Sequence, residues 1–411
     1  MSRRDAYLYV LAAAVASFGL GVVAFYLNFL FRALGYDGIA LGALVAAQAA
    51  GVVIGAIPAA TVARGRARRT VILTGGVIAA AGVIGVVLFD GFVPLLVAGL
   101  LLGLGAILAS SSGAALLADA TAAASRSSRF GQQIALGTMA AFFASVLAGI
   151  LAEPVAMALG RATGDVLVLR TLVAAGGLVA GLSAVPILFL RSAPVTGGTL
   201  EPAHRTRLLA RFLTVEFAFG LGAGSFLPFV NLFFAERYGV PFATLGVMLG
   251  AIAVAGSLGA LVHGRLLAHR FGPVRSILAV VFGSLPFALI AAFTGDLAVA
   301  LIALAIRAAL MYGSTATWNA LTFSSFTPRE RAGVNAVSAL AWSAGSSVGA
   351  IVSGALRGAA GPAGYTANLA TLAFFYALAG TLILVFFRHH EPRGDETSDE
   401  RFTRKERVLQ P

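Results

Sequence analysis

Two charged side chains stand where charge is least welcome. Glu216 interrupts RFLTVEFAFGLG and Arg307 interrupts LAVALIALAIRAALMYG, each with apolar residues on both sides. A carboxyl or a guanidinium inside hydrocarbon is costly unless it faces a partner or a water-filled cavity. Together the two offer a proton that an acid takes up and releases as its surroundings change, and a fixed positive charge able to hold an anion. Asn28 and Asn231 add hydrogen-bonding groups inside similar runs, with Tyr312, Trp318 and Asn319 as lesser candidates of the same kind. Whether that chemistry is possible depends on the elements that carry these residues.

Those elements are membrane-spanning helices. Apolar residues make up 59% of the 411 positions and charged residues 11%, against roughly 45–50% and 25% in soluble domains. A helix crossing about 30 Å of hydrocarbon needs around 20 mainly apolar residues. Twelve such segments are expected, near 7–31, 39–63, 70–89, 92–117, 131–157, 165–190, 208–234, 242–266, 274–294, 297–322, 332–356 and 365–387. The fold class is therefore all-α integral membrane. The run after Arg3 and Arg4 continues to Phe31, too long for the apolar part of a signal peptide, and is counted as segment 1.

The net charge of +12 is a topology signal rather than a nucleic-acid footprint. With the N-terminus inside, Arg3, Arg4, Arg64, Arg66, Arg68, Arg69, Arg126, Arg129, Arg191, Arg205, Arg207, Arg265, Arg270, Arg275, Arg329 and Arg331 fall in cytoplasmic loops, as do the basic residues of the tail. Arg32, Arg161, Arg237 and Arg357 fall outside. That asymmetry places both termini in the cytoplasm of an inner or plasma membrane. The partners expected are a small-molecule solute, protons and membrane lipids, with no nucleic acid, and the chain is expected to act as a monomer. No cofactor or metal is expected, and the absence of cysteine excludes disulfides and thiolate sites.

The chain is written twice. FGLGVVAFYLNFLF from Phe18 stands against FGLGAGSFLPFVNLFF from Phe219, an offset of 201 that grows to 203. Gly42, Gly51 and Gly55 stand against Gly246, Ala255 and Gly259, and RFGQQ from Arg129 against RAGVN from Arg331. Six crossings per half keep both halves in one orientation, related by an axis along the membrane normal. The domains expected are an N-terminal half over 1–191, a cytoplasmic linker over 192–206, a C-terminal half over 207–390 and a charged tail over 391–411.

Twelve segments, a parallel repeat and a basic loop after segments 2 and 8 together resemble the major facilitator superfamily. The second loop copy, GRLLAHRFGPVR, matches the family's G-x-x-x-D-R-x-G-x-R-R at Arg270, Gly272 and Arg275. His269 replaces the acid, and Gly264 lies one residue too far upstream. The first copy keeps Arg64, Arg68 and Arg69 but has no acid. Gly99 stands where family proton-coupled exporters usually carry an arginine in helix 4, and the helix-5 antiporter pattern is missing. The resemblance implies two six-helix bundles, a solute cavity lined mainly by helices 1, 4, 7 and 10, and loop residues that help latch one conformation.

Depth then suggests a pairing. Arg307 lies ten residues, about 15 Å, beyond Leu297, and Glu216 lies eight residues, about 12 Å, beyond Leu208 on the opposite side. In a 30 Å core the two levels differ by about 3 Å. Arg211, five residues from Glu216, points some 140° away around the helix. A switchable Glu216–Arg307 pair is expected, serving proton-coupled export of an amphipathic solute by alternating access. Uptake or exchange of an organic anion through Arg307 is the alternative, and a non-transporting receptor or scaffold is the reading from another class. An enzyme is not expected: His204, His263, His269, His389 and His390 lie in loops or near segment ends, and no H-E-x-x-H, nucleophile elbow or P-loop occurs.

Overall fold

The computed structural model describes residues 3–65, 68–119, 123–190, 204–263, 268–327 and 330–388. Within them lie twelve helices long and apolar enough to cross a membrane. They are α1 (Arg3–Ala33), α2 (Gly38–Gly65), α3 (Arg68–Leu88), α4 (Phe92–Asp119), α5 (Ala123–Leu159) and α6 (Val166–Leu188), then α7 (Thr206–Tyr238), α8 (Phe242–Val262), α9 (Pro273–Phe293), α10 (Leu297–Ser324), α11 (Arg331–Ala360) and α12 (Gly364–Phe387). Helix is what such a composition permits in lipid, because every backbone N–H and C=O must then be bonded inside the segment. The start of α1, the end of α2 and the start of α3 share one face of the bundle, on which the sequence gathers its arginines. We call it the basic face and its opposite the far face.

Departures from continuous helix have local causes. Pro228 lacks an N–H to continue the ladder, and Leu227–Phe229 tighten into a 3₁₀ turn that splits α7. Gly239 ends α7 with a left-handed backbone, φ 67°, which glycine adopts without a Cβ clash. Gly272, the loop-motif glycine, has φ 80° where the chain turns into α9.

Apolar burial alone cannot hold these helices together, because lipid tails are as apolar as leucine; close packing must do more of the work. The two halves meet through α2 against α11 and α5 against α8. Both crossings are made by glycines. A Cβ on Gly42 would lie 3.1 Å from the Gly354 Cα, and one on Gly149 would lie 3.1 Å from the Gly246 Cα. One buried apolar cluster continues through both halves. Among the described residues, the polar and glycine contacts between halves lie between mid-depth and the far face.

Candidate transport site

Glu216 sits on the face of α7 that turns inward, one helical turn beyond Phe212, and is buried. Its carboxylate Oε1 accepts a hydrogen bond from the Trp318 indole Nε1 at 2.7 Å. The wall around them is aromatic. Phe212 lies 5.1 Å from the Trp318 ring and 4.5 Å from Phe387, with Phe326 completing the cluster. One indole donor in a ring-lined site is a sparse set of partners for a carboxylate, which ordinarily needs several donors or a charge partner when buried.

Arg307 occupies a second level of the same bundle. It is 4% exposed, and its Cζ lies 4.9 Å from the centroid of Tyr376 in α12, close enough for a cation–π contact. Tyr376 in turn stands edge-on to Phe219 of α7 at 5.2 Å. Nε and Nη2 of Arg307 have no hydrogen-bond partner among the described residues.

The expected pairing of Glu216 with Arg307 is not formed: no ion pair joins them among the described residues, and Trp318 holds the acid instead. The geometry of α10 explains why. Arg307 and Trp318 are eleven residues apart, so they share a face to within about 20° but differ in height by about 16 Å. The level expected from the sequence does not hold. A fixed 30 Å core places Arg307 midway, yet α10 runs 28 residues and extends well beyond that thickness on the basic side. Arg211 is no partner to Glu216 either; it lies over Phe386, 5.6 Å from the ring centroid.

Asn28 and Asn231 do come together. Asn28 Nδ2 donates to Asn231 Oδ1 at 2.9 Å and to the Pro228 carbonyl at 2.6 Å, while Asn231 Nδ2 donates to the Phe25 carbonyl at 2.9 Å. Both are buried, so they join the halves rather than line open space. Toward the far face, Arg32 bridges Asp37 and Glu236 at 3.0 Å each. The Tyr365 hydroxyl donates to Glu236 at 2.7 Å and accepts from Arg357 at 3.3 Å.

The Major Facilitator Superfamily model matches residues 9–326 and again 212–410. The chain belongs to the major facilitator superfamily. Solved structures agree on the fold. A bacterial homologue of the human lysosomal transporter Spinster, inward-facing and unoccupied, superposes with TM-score 0.75 at 14% identity, covering 94% of this chain and 98% of that one. A point mutant of the nucleoside transporter NupG gives 0.75 at 13%, covering 93% and 100%. A bacterial homologue of the iron transporter ferroportin, inward-facing, gives 0.71 at 18%, covering 94% and 99%. No curated protein matches by sequence. As a superfamily member the chain is a multi-pass membrane transporter of a small solute, not an enzyme.

The remaining sequence candidates are scattered. Tyr312 is exposed on α10 and packs its ring against Gly256 of α8; Asn319 is exposed one residue beyond Trp318. In the superfamily loop motif, Gly264 and the side chains of Arg64 and His269 lie outside the described residues. Arg270 lies over Phe271, Arg275 is exposed, and Arg68 and Arg69 open α3. Sequence reasoning gave Trp318 only a minor place and passed over Glu236, Tyr365 and Arg357. The repeat carried a usable signal for this end of the bundle, because equivalent residues near a pseudo-twofold axis must meet each other.

Proposed function

We propose that this chain is a proton-coupled exporter of amphipathic small molecules, working by alternating access with both termini in the cytoplasm. The observation that carries the reading is Glu216, a buried carboxylate whose one donor among the described residues is the Trp318 indole, in an aromatic wall. Such an acid responds to protonation with little else to compensate, so its state can be tied to which face the bundle opens. The far-face clasp made by Asn28, Asn231, Arg32 and Glu236 supports reading the structure as the state closed to the outside. The cargo named for the relatives differs widely in chemistry, from nucleosides to iron, so the fold leaves the solute to be argued from side chains.

A second reading, exchange of an organic anion, rests on Arg307. A buried guanidinium with two nitrogens unpartnered among the described residues is a ready anchor for a carboxylate or phosphate. One experiment separates the two readings: thermal shift of purified wild type, Arg307→Ala and Glu216→Gln against hydrophobic cations and organic anions at two pH values. Cations that stabilise wild type and Arg307→Ala alike, with a pH dependence absent in Glu216→Gln, support export. Stabilisation by anions in wild type alone moves anion exchange ahead.

A further inference from the structure

The N-terminal half holds a cavity of about 470 Å³ between α1, α3, α4 and α6. It is separate from Glu216 and Arg307, which lie in the other half. Alanine and glycine supply most of its wall, among them Ala13, Ala80, Gly105 and Ala109. On its outer side it borders the gap between α3 and α6, where Gly76 and Gly181 are both exposed and a Cβ on either would meet nothing within 4 Å. The cavity therefore adjoins lipid rather than a protein wall.

The repeat shows that this hollow is particular to one half. Aligning the two loop copies on Arg69 and Arg275 sets Gly76 opposite Phe282. The Phe282 ring reaches to 3.0 Å from a Cβ placed on Gly380, filling the space between α9 and α12. The interior of the C-terminal half is occupied as well, by the Arg307 side chain and Tyr376. Where one half carries rings and a guanidinium, the other carries glycine and empty volume.

The chemistry along the cavity is graded. A second groove adjoins it across Leu73 and Val77, and Arg69, Thr70 and Thr74 line that groove at the basic face. From Leu73 to Val83 the apolar wall rises about 15 Å, half of the roughly 30 Å hydrocarbon core and so the depth of one leaflet. An arginine at headgroup level followed by one leaflet's depth of apolar wall complements a single-chain amphiphile with an anionic head. A neutral or cationic head would leave Arg69 without its counter-charge.

We propose that the cavity between α1, α3, α4 and α6 is a binding site for a long-chain fatty carboxylate drawn from the leaflet at the basic face. The acyl chain enters between α3 and α6 past Gly76 and Gly181, and the carboxylate rests at Arg69. The proposal deepens the amphipathic-solute reading but is tested by binding alone, so loss of flux and loss of this site are separate results.

The probe is palmitate carrying a diazirine on its chain, photolysed on the purified full chain, with the matching hexadecanol as the uncharged control. Labelling should fall on peptides of α3 and α6, and hexadecanol should label at least about tenfold less. Gly76→Phe, which copies the aromatic of the other half, should reduce palmitate labelling about tenfold, and Arg69→Gln should bring it to the hexadecanol level. Equal labelling by the two probes, or labelling indifferent to Gly76→Phe, overturns the proposal. Should Gly76→Phe fold poorly, Gly181→Cys provides a single thiol in a chain that otherwise has none. Unlabelled palmitate should slow its alkylation by a hydrophobic maleimide several-fold, while octanoate should not. An unchanged rate with palmitate overturns the proposal as well.

Discussion

Asn28 and Asn231 clasp each other reciprocally across the pseudo-twofold axis. Asn28 donates to the carbonyl of residue 228 and Asn231 to that of residue 25, and both offsets are 203, the offset of the repeat. The two halves thus use the same side chain on the same backbone position of the other, as an isologous interface would. The Pro228 carbonyl is open to Asn28 because the Leu232 N–H, its helical donor four residues on, bonds the Asn231 Oδ1 instead at 2.9 Å. The clasp lies toward the far face, where the halves are in contact.

Removing one asparagine should open that face. Asn28→Ala leaves the Pro228 carbonyl without its side-chain donor, at a cost of about 1–2 kcal/mol by the range seen for buried and interhelical hydrogen bonds. That corresponds to a roughly five- to thirtyfold shift toward the open form. A lone thiol at Phe29→Cys should then react faster with an impermeant maleimide, and faster still in the Asn28→Ala/Asn231→Ala pair, which also removes the donor to the Phe25 carbonyl. An unaltered labelling rate would mean the clasp holds helices without governing access.

Gly42→Leu and Gly246→Leu should each block the closed state. The two positions are repeat equivalents, and a Cβ on Gly42 would lie 2.5 Å from the Ala350 carbonyl oxygen, where backbone has no room to give. Labelling at Phe29→Cys should rise and solute flux should fall below a tenth of wild type. Gly283→Leu, where a Cβ meets nothing within 4 Å, is the control and should leave both near wild type. Wild-type flux in Gly42→Leu would show that the crossing is not needed for the cycle.

Much of this architecture was legible because it follows from solvent. Hydrocarbon enforces long apolar helices, so segment count and approximate span could be read from composition, and duplication could be read from FGLG and its offset. The pairing of Glu216 with Arg307 was misread because depth was counted from an average membrane, while α10 is longer than that membrane is thick. Trp318 was the residue to weigh more: it shares Arg307's face and carries the donor that a buried acid requires. The Arg32–Glu236–Tyr365–Arg357 chain was illegible for another reason. Its members come from α1, α7, α11 and α12, and no spacing along the sequence reports that they converge.

Glu216 can be tested without disturbing its packing. Glu216→Gln keeps an oxygen to accept from Trp318, so the variant should melt within a few degrees of wild type while the pH dependence of transport disappears. Trp318→Phe keeps an aromatic but removes the donor, leaving the buried acid without it. It should lower stability by about 1–3 kcal/mol and move the midpoint of the pH–flux profile. Flux measured in proteoliposomes across pH 5 to 8 distinguishes these outcomes. A pH profile that survives Glu216→Gln would remove the acid from the coupling mechanism.

A second acid, outside the spans, gives a pH signature of stability rather than of transport. Glu330 lies just before α11, where its carboxylate accepts the His204 backbone N–H at 2.7 Å and the Thr327 backbone N–H at 2.9 Å. These two bonds, the His204 one foremost, hold its pKa down to about 2 from an ordinary 4.5. A carboxyl whose folded pKa lies below its unfolded one stabilises the fold fully above the unfolded value. That contribution fades as pH falls from about 4.5 toward 2. The His204 bond ties the chain two residues before α7 to the turn between α10 and α11. Glu330→Gln should therefore lower the melting temperature by several degrees at pH 7, and the gap from wild type should hold constant down to about pH 5. Below that it should narrow as the wild-type carboxyl takes up its proton. A gap that stays the same width at pH 3, or one that widens, would show that the ionised carboxylate is not what holds this junction.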